Sequence, residues 1–385
     1  MDQTFLELLR EIQDFRKGNA IQYRLQDILL TGTLAIICNM DTYTEMEMFV
    51  KHERAYLEPF CDFSRGVPSH DTFGKVFSRL DADALSEKFS GWMSQLRLEL
   101  AGVAELQEKT IAIDGKTIRR SGSKDQKASH VITAFASELE LVLGQVKTDE
   151  KSNEITAIPE LLKLFQIKGN IITIDAMGTQ KEIAQTIIER EADYVLAVKG
   201  NQKHMYEDLV FHLDSEIKDK GKAAMKELGH YAISRTKDHG RIEIRECYLS
   251  PHIDWYDWKD DWAGLKGSGV IISRRQEGDK PETQERHYFI YSLNAPSAAD
   301  LLRIKREHWA IENKLHWMLD MAFAEDDCRA RAKNAAAVFN ILRKLALQML
   351  KTQSPYKCGM KSKRKLCGLG VLSAMRVLGI SDQIS

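Results

Sequence analysis

Three acidic residues occupy positions from which they could act on one reaction centre. Asp114 lies in KTIAIDGKTIRRSG, where Ile111 and Ile113 point one way and Thr110, Ala112 and Asp114 the other, the period of a half-buried strand. Directly after it come Gly115, which permits close approach of backbone or substrate, and the basic residues Lys116, Arg119, Arg120 and, after a gap, Lys124. A carboxylate beside a basic run suits a metal ion and a phosphate together. Asp175 repeats the device in GNIITIDAMGTQKEIAQ: a buried strand through Ile171, Ile172 and Ile174 delivers the carboxylate, and a helix follows, capped by Thr179 with Glu182 three residues on. Glu312 lies in KREHWAIENKLHWMLD, at the edge of a helical apolar stripe through Ile304, Ile311, Leu315, Met318 and Ala322. Such a set could hold two divalent cations ~3.5 to 4 Å apart, which activate a nucleophile and stabilise the leaving oxygen in an in-line displacement at phosphorus. Mg²⁺ or Mn²⁺ suits carboxylate and phosphate oxygens.

Each acid also has an ordinary reading. An Asp at a strand end is most often a turn or cap residue, and a helical Glu is usually solvated. Asp320, Glu325 and Asp326 are rival acids close to Glu312, although ~1.5 Å of rise per residue puts Asp320 about 12 Å further along an uninterrupted helix. Lys305, His308, Glu312 and His316 share one helix face, so a histidine-containing metal site is a minor alternative. Lys199, Asn201 and Gln202 in KGNQ follow a strand and could hold phosphate or order a metal shell; a polar turn is the other reading. His239, Arg241, Glu243 and Arg245 alternate along a strand, which puts them on one face that could track a DNA backbone or form a salt-bridged solvated surface.

The elements that must position these residues are α/β in character. From Met1 to about Leu100 the pattern is helical, with stripes through Phe5, Leu8, Leu9, Ile12 and Phe15 and then Leu25, Ile28, Leu29 and Ala35, and it reads as a separate all-α domain. Within it GVPSHDTFGKVFSRL holds a turn, an N-cap at Ser69 and an amphipathic helix, either a helix-turn-helix reader or a packing helix. After the Asp114 strand come two more strands, HVITAFASE and LVLGQVKT, a helix through Ile158 and Leu162, the Asp175 strand, a helix from Thr179 to Glu191, and the strand DYVLAVKG. The stretch from Asp175 to Glu312 is too long for one crossover in a compact sheet. A β-rich insertion over about 200–290, opened by a short helix from Met205 to Ile217, accounts for it. Ser297 and Asp300 then cap the helix carrying Glu312, and a basic tail follows over 352–385.

In order along the chain, IAIDGKTIRRS, LGQVKTDEKSNEITAIPELL, TIDAMGTQKEIA, DYVLAVKGNQ, HGRIEIRE and HWAIENKLHWMLDMAFAEDDCRAR resemble the motifs of bacterial insertion-sequence transposases of the DDE class, closest to the H-repeat-associated group linked to Rhs elements. The resemblance covers roughly Ile21 to Lys351. It implies an RNase H-like mixed sheet over 101–351 with Asp114, Asp175 and Glu312 as the catalytic metal ligands, and a transposase-associated domain over 1–100. It further implies Mg²⁺ or Mn²⁺ as cofactor, double-stranded DNA as partner, a homodimer in the DNA complex, and metal-dependent cleavage and strand transfer of element ends. An RNase H-like nuclease that does not join strands, or a non-mobile DNA-binding remnant, are the competing functions. Many relatives place Tyr seven and Arg four residues before the catalytic Glu and Lys seven after it; here those positions hold Lys305, His308 and Leu319.

With 385 residues and 43% hydrophobic content, the chain can build two or three cores. The 55 Lys and Arg against 56 Asp and Glu leave a formal net charge of -1, so any DNA contact must come from local patches. Six cysteines without metal-ligand spacing, and no secretory signal, point to the reduced cytoplasm. The longest apolar run, Ile28 to Cys38, falls short of the ~20 residues of a membrane span and reads as a core helix.

Overall fold

The computed structural model describes residues 5–18, 21–101, 109–122, 127–148, 154–238 and 240–380. Lys124 and His239, both expected near phosphate, lie outside them. Nine strands form one sheet: β1 (Thr110–Thr117), β2 (His130–Ala136), β3 (Leu141–Thr148), β4 (Ile171–Ile174), β5 (Asp193–Val198), β6 (Tyr231–Asp238), β7 (Arg241–Ser250), β8 (Gly267–Glu277) and β9 (Thr283–Tyr291). Their order is β3-β2-β1-β4-β5-β9-β8-β7-β6. The first three are antiparallel neighbours, and β4 and β5 join β1 in parallel. This half is the RNase H-like mixed sheet. Ile111, Ile113, Ile172 and Ile174 are buried, as strands covered on both faces require.

The insertion does not stand apart from this sheet. β9 pairs antiparallel with β5, and β8, β7 and β6 follow in one antiparallel ladder. A row of backbone donors and acceptors on β5 that would otherwise be open is satisfied in this way.

The helices are α1 (Phe5–Arg10), α2 (Leu25–Ile37), α3 (Tyr43–His52), α4 (Arg54–Leu57), α5 (His70–Arg79), α6 (Ala82–Ala101), α7 (Glu154–Lys163), α8 (Lys181–Glu189), α9 (Lys203–Glu227), α10 (Ala298–His308), α11 (Trp317–Phe323), α12 (Ala335–Thr352), α13 (Met360–Gly368) and α14 (Val371–Val377). The helix opening the insertion, α9, is longer than the Met205 to Ile217 expected, and it kinks at Gly221, whose φ of 70 is open to glycine at little cost. At α8 the expected Thr179 cap is absent. The Thr179 hydroxyl instead donates to the Ala197 carbonyl at 2.5 Å, tying the Asp175 loop to β5.

The N-terminal helices are not a self-contained body. α2 is buried on nearly every face, and α1–α6 are too few to cover it. It packs on α12, α13 and α14 as well, and Phe77 of α5 meets Phe339 of α12 with ring centroids 5.2 Å apart. Ser69 caps α5 as expected, accepting from the Thr72 N–H at 3.3 Å. Residues 360–377, expected as part of a basic tail, are two helices of this same core. Among the described residues no helix is long and apolar enough to cross a membrane.

Candidate active site

The register of β1 on β4 pairs Ile113 with Ile174, so the next residues, Asp114 and Asp175, come side by side where β4 ends and β1 runs on against β2 alone. Asp175 caps the turn Ala176–Gly178 and accepts from the Met177 N–H at 3.2 Å. Asp114 accepts from the Gly115 N–H at 2.9 Å. Gly115 is needed for a reason other than substrate approach: a Cβ there would lie 2.5 Å from His130 Nε2 and 2.6 Å from Glu154 Oε1, a buried pair packed against the strand.

α10 brings the third carboxylate. The capping box of Ser297 and Asp300 starts it, and it crosses the sheet from β6 and β7 to β1. Its end is fastened to the strands beside the aspartates. Thr110 Oγ1 donates to Glu307 Oε2 at 2.5 Å, the Ser137 hydroxyl donates to the Glu307 carbonyl at 2.8 Å, and the Thr173 hydroxyl lies 2.9 Å from His308 Nδ1. The expected uninterrupted α-helix then changes pitch: Glu312–His316 is a π-helical turn, a widening common at functional sites. Ile311 and Leu315 stay fully buried through it while Glu312 comes close to Asp114.

Asp114, Asp175 and Glu312 line one open cleft of about 950 Å³, together with Lys199, Lys305, His287, His308 and Trp309. His316 Nδ1 lies 3.5 Å from Asp114 Oδ2 and 3.7 Å from Glu312 Oε2. Asp114, Glu312 and His316 each offer a ligand atom, all within 4.8 Å of one another. Burial, and then the neighbouring Glu312 carboxylate, push the Asp114 carboxyl up to about 8. Crowded carboxylates of this kind need a proton or a cation, and an oxygen-rich cluster fits a hard divalent ion. Burial and the Lys199 charge bring Lys305 down to about 8, and burial brings His308 down to about 3, so His308 is a neutral cleft wall.

Other expected contacts are engaged elsewhere. Lys116 pairs with Asp320 at 2.5 Å and Glu325 at 3.0 Å, Arg119 with Asp326 at 3.3 Å, and Arg120 with Asp327 at 2.8 Å. The turn Glu325–Asp327 packs over Arg119–Ser121, so the basic run after Asp114 is neutralised by the acids after Glu312. The half-buried Lys116 is therefore an internal counter-ion, not an open phosphate contact, and the same pairs engage Asp320, Glu325 and Asp326. Asn201 Nδ2 donates to the Ala176 carbonyl at 2.7 Å and Gln202 Nε2 to the Thr179 carbonyl at 3.0 Å. Both amides brace the Asp175 loop and are not free for phosphate.

Arg241, Glu243 and Arg245 do share one face of β7, the face crossed by α10. Glu243 is buried, 2.7 Å from Arg245, 3.9 Å from Arg241 and 3.7 Å from Arg275 of β8. Three guanidiniums surround this one buried carboxylate, and Glu277 of β8 stands directly opposite Arg241, so the face is a network of paired charges with its arginines outermost. The Arg245 guanidinium and the Lys305 ammonium both approach the Trp309 ring, at 5.8 and 5.9 Å, linking that surface to the cleft. Arg275 and Trp309 escape a reading of the sequence. Nothing in GSGVIISRRQ states which strand it pairs with, and a lone tryptophan on a helix usually packs in a core.

The transposase DDE domain family model matches residues 105–349, and the model for the domain associated with it matches residues 6–93. The chain is 38% identical over 382 residues to "H repeat-associated putative transposase YhhI" of Escherichia coli strain K12, covering 94% of each chain. It is also 38% identical over 387 residues to "Putative transposase YncI" of Escherichia coli O157:H7, covering 99% of this chain and 96% of the relative. A solved piggyBac transposase synaptic complex with hairpin DNA aligns over 98% of this chain and 76% of its own, with a TM-score of 0.41 and 10% identity. With one acid within β1, one just after β4 and one on the turn after α10, and with the family models and the two Escherichia coli relatives spanning nearly its whole length, the chain belongs to the DDE transposase family, in its H repeat-associated group.

Proposed function

We propose that this protein is a transposase that binds the ends of its insertion element, cleaves them with a divalent metal and joins them to target DNA. The observation that carries this reading is the arrival of Asp114, Asp175 and Glu312, from two neighbouring parallel strands and a π-turn, in one open cleft with cationic walls. These three residues would hold Mg²⁺ or Mn²⁺, whose chemistry when bound is activation of a water or 3′ hydroxyl and stabilisation of the leaving oxygen. The chain's own groups do the rest. Lys199 and Lys305 draw a phosphate towards the carboxylates, the neutral His308 and its Thr173 contact fix the end of α10, and Asn201 and Gln202 keep the Asp175 loop from drifting.

Arg241, Arg245 and Arg275 extend the phosphate track beyond the cleft. Residues 1–100 form the transposase-associated part and 101–351 the catalytic part. Two copies acting together in the cytoplasm would hold the two ends.

The test begins with a search of the DNA flanking the gene for terminal inverted repeats, which then serve as the substrate of a cleavage and joining assay. Cleavage and joining are expected with Mg²⁺ or Mn²⁺ and none after chelation; activity surviving metal removal would sink the mechanism, and cleavage without joining would make the protein a nuclease. The arginine track has its own signature. In Arg245→Ala/Arg275→Ala the slope of log affinity against log salt should fall by about 0.9 per lost phosphate contact, and an unchanged slope would remove those residues from the DNA surface.

A further inference from the structure

We propose that His316 is a direct ligand of one divalent ion in the cleft, so that the ion is held by two carboxylates, Asp114 and Glu312, and one imidazole. The inference rests on the metal-dependent reading above and adds a residue to it. His316 follows Glu312 by one π-turn and is 5% exposed, so its ring has little room to swing away. Its backbone is held as well, the carbonyl accepting from Lys116 Nζ at 3.4 Å. Nε2 is enclosed without a hydrogen-bond partner among the described residues, which leaves Nδ1 as the nitrogen that faces Asp114 and Glu312.

The spacing of Nδ1 is the informative part. At 3.5 Å from Asp114 Oδ2 and 3.7 Å from Glu312 Oε2 it is beyond hydrogen-bond distance of either. Two ligands sharing one ion through bonds of ~2.0 to 2.2 Å lie roughly 3.0 to 3.5 Å apart, so shifts of a few tenths of an ångström would seat an ion among the three atoms. A residue serving only to orient Glu312 by a hydrogen bond would sit closer, at about 2.7 to 3.0 Å. Imidazole favours Mn²⁺ and later first-row ions over Mg²⁺, which prefers oxygen and retains water. His316 would therefore bias the site towards Mn²⁺.

The experiment is pulsed electron paramagnetic resonance of Mn²⁺ bound to the full-length protein, where a coordinated imidazole gives a ¹⁴N modulation. The modulation is expected in the unaltered protein and in His308→Asn, and absent in His316→Asn, which replaces the ring by an amide. The preference for Mn²⁺ over Mg²⁺ in direct binding should also fall by about tenfold in His316→Asn, with matching circular dichroism showing an intact fold. Bound Mn²⁺ without ¹⁴N modulation in the unaltered protein, or modulation persisting in His316→Asn, would overturn the proposal while leaving the carboxylate site standing. Mn²⁺ binding unaffected by Asp114→Asn would overturn both.

Discussion

Asp114→Asn and Asp175→Asn should each lower cleavage and joining of element ends by at least about 10³-fold while DNA binding holds or tightens slightly. Each substitution keeps the shape of the side chain and removes a charge that a divalent ion needs. The two aspartates leave β1 and β4 in matched register, so neither can stand in for the other without moving a strand. An amide at 175 can still cap the Met177 turn, and one at 114 can still accept from Gly115, so the loss belongs to chemistry and not to folding. Tighter binding would follow where the substitution removes a negative charge from a cleft that faces phosphate; Asp114, pushed up to about 8, carries little of that charge before a cation binds. A time course with end-labelled DNA, beside a filter-binding titration, separates the two effects; cleavage within a few fold of the unaltered rate in either variant would retire that residue as a metal ligand.

The second large effect lies far from the cleft. Arg364 is completely buried: its guanidinium donates to the Ile36 carbonyl at 2.6 Å, to Asp41 at 2.8 Å and to the Ala322 carbonyl, and stacks 4.2 Å from the Phe323 ring centroid. It thereby bolts α13 to α2 and to the end of α11. Arg364→Met keeps most of the volume but strips the charged donors from the Ala322 carbonyl and the Asp41 carboxylate and leaves the Ile36 carbonyl only the Asn39 N–H. The expected loss is ~3 to 5 kcal/mol, read from urea unfolding at matched slope. A loss below about 1 kcal/mol would mean that the C-terminal helices are not part of the core.

That arginine also marks a limit of the sequence. KSKRK reads as a solvated basic stretch, because nothing local distinguishes Arg364 from Lys363 or Lys365; only the tertiary packing of α13 selects it for burial. The strands around Asp114 and Asp175 were legible because alternation and apolar runs are local signals. So was the capping box at Ser297, whose partners are three residues apart. The insertion's existence was readable from length, but its continuity with the catalytic sheet was not, since β5 meets β9 across a long stretch of chain.

The partners of Lys116 failed for a similar reason. A lysine two residues from a catalytic candidate looks like a phosphate ligand until α11 and the turn after it fold Asp320 and Glu325 onto it. The π-turn at Glu312 leaves no sequence mark, because its apolar spacing fits an α-helix within a residue.

The most direct test of the three-carboxylate site compares Glu312→Gln with Asp320→Asn in the same strand-transfer assay, in Mg²⁺ and again in Mn²⁺. Glu312 lines the cleft with both aspartates and lies close to Asp114, whereas Asp320 is engaged with Lys116. Glu312→Gln is expected to lose at least about 10³-fold in both metals, with Asp320→Asn retaining joining within roughly tenfold of the unaltered protein. Joining at the unaltered rate by Glu312→Gln, with the loss falling on Asp320→Asn instead, would contradict the account.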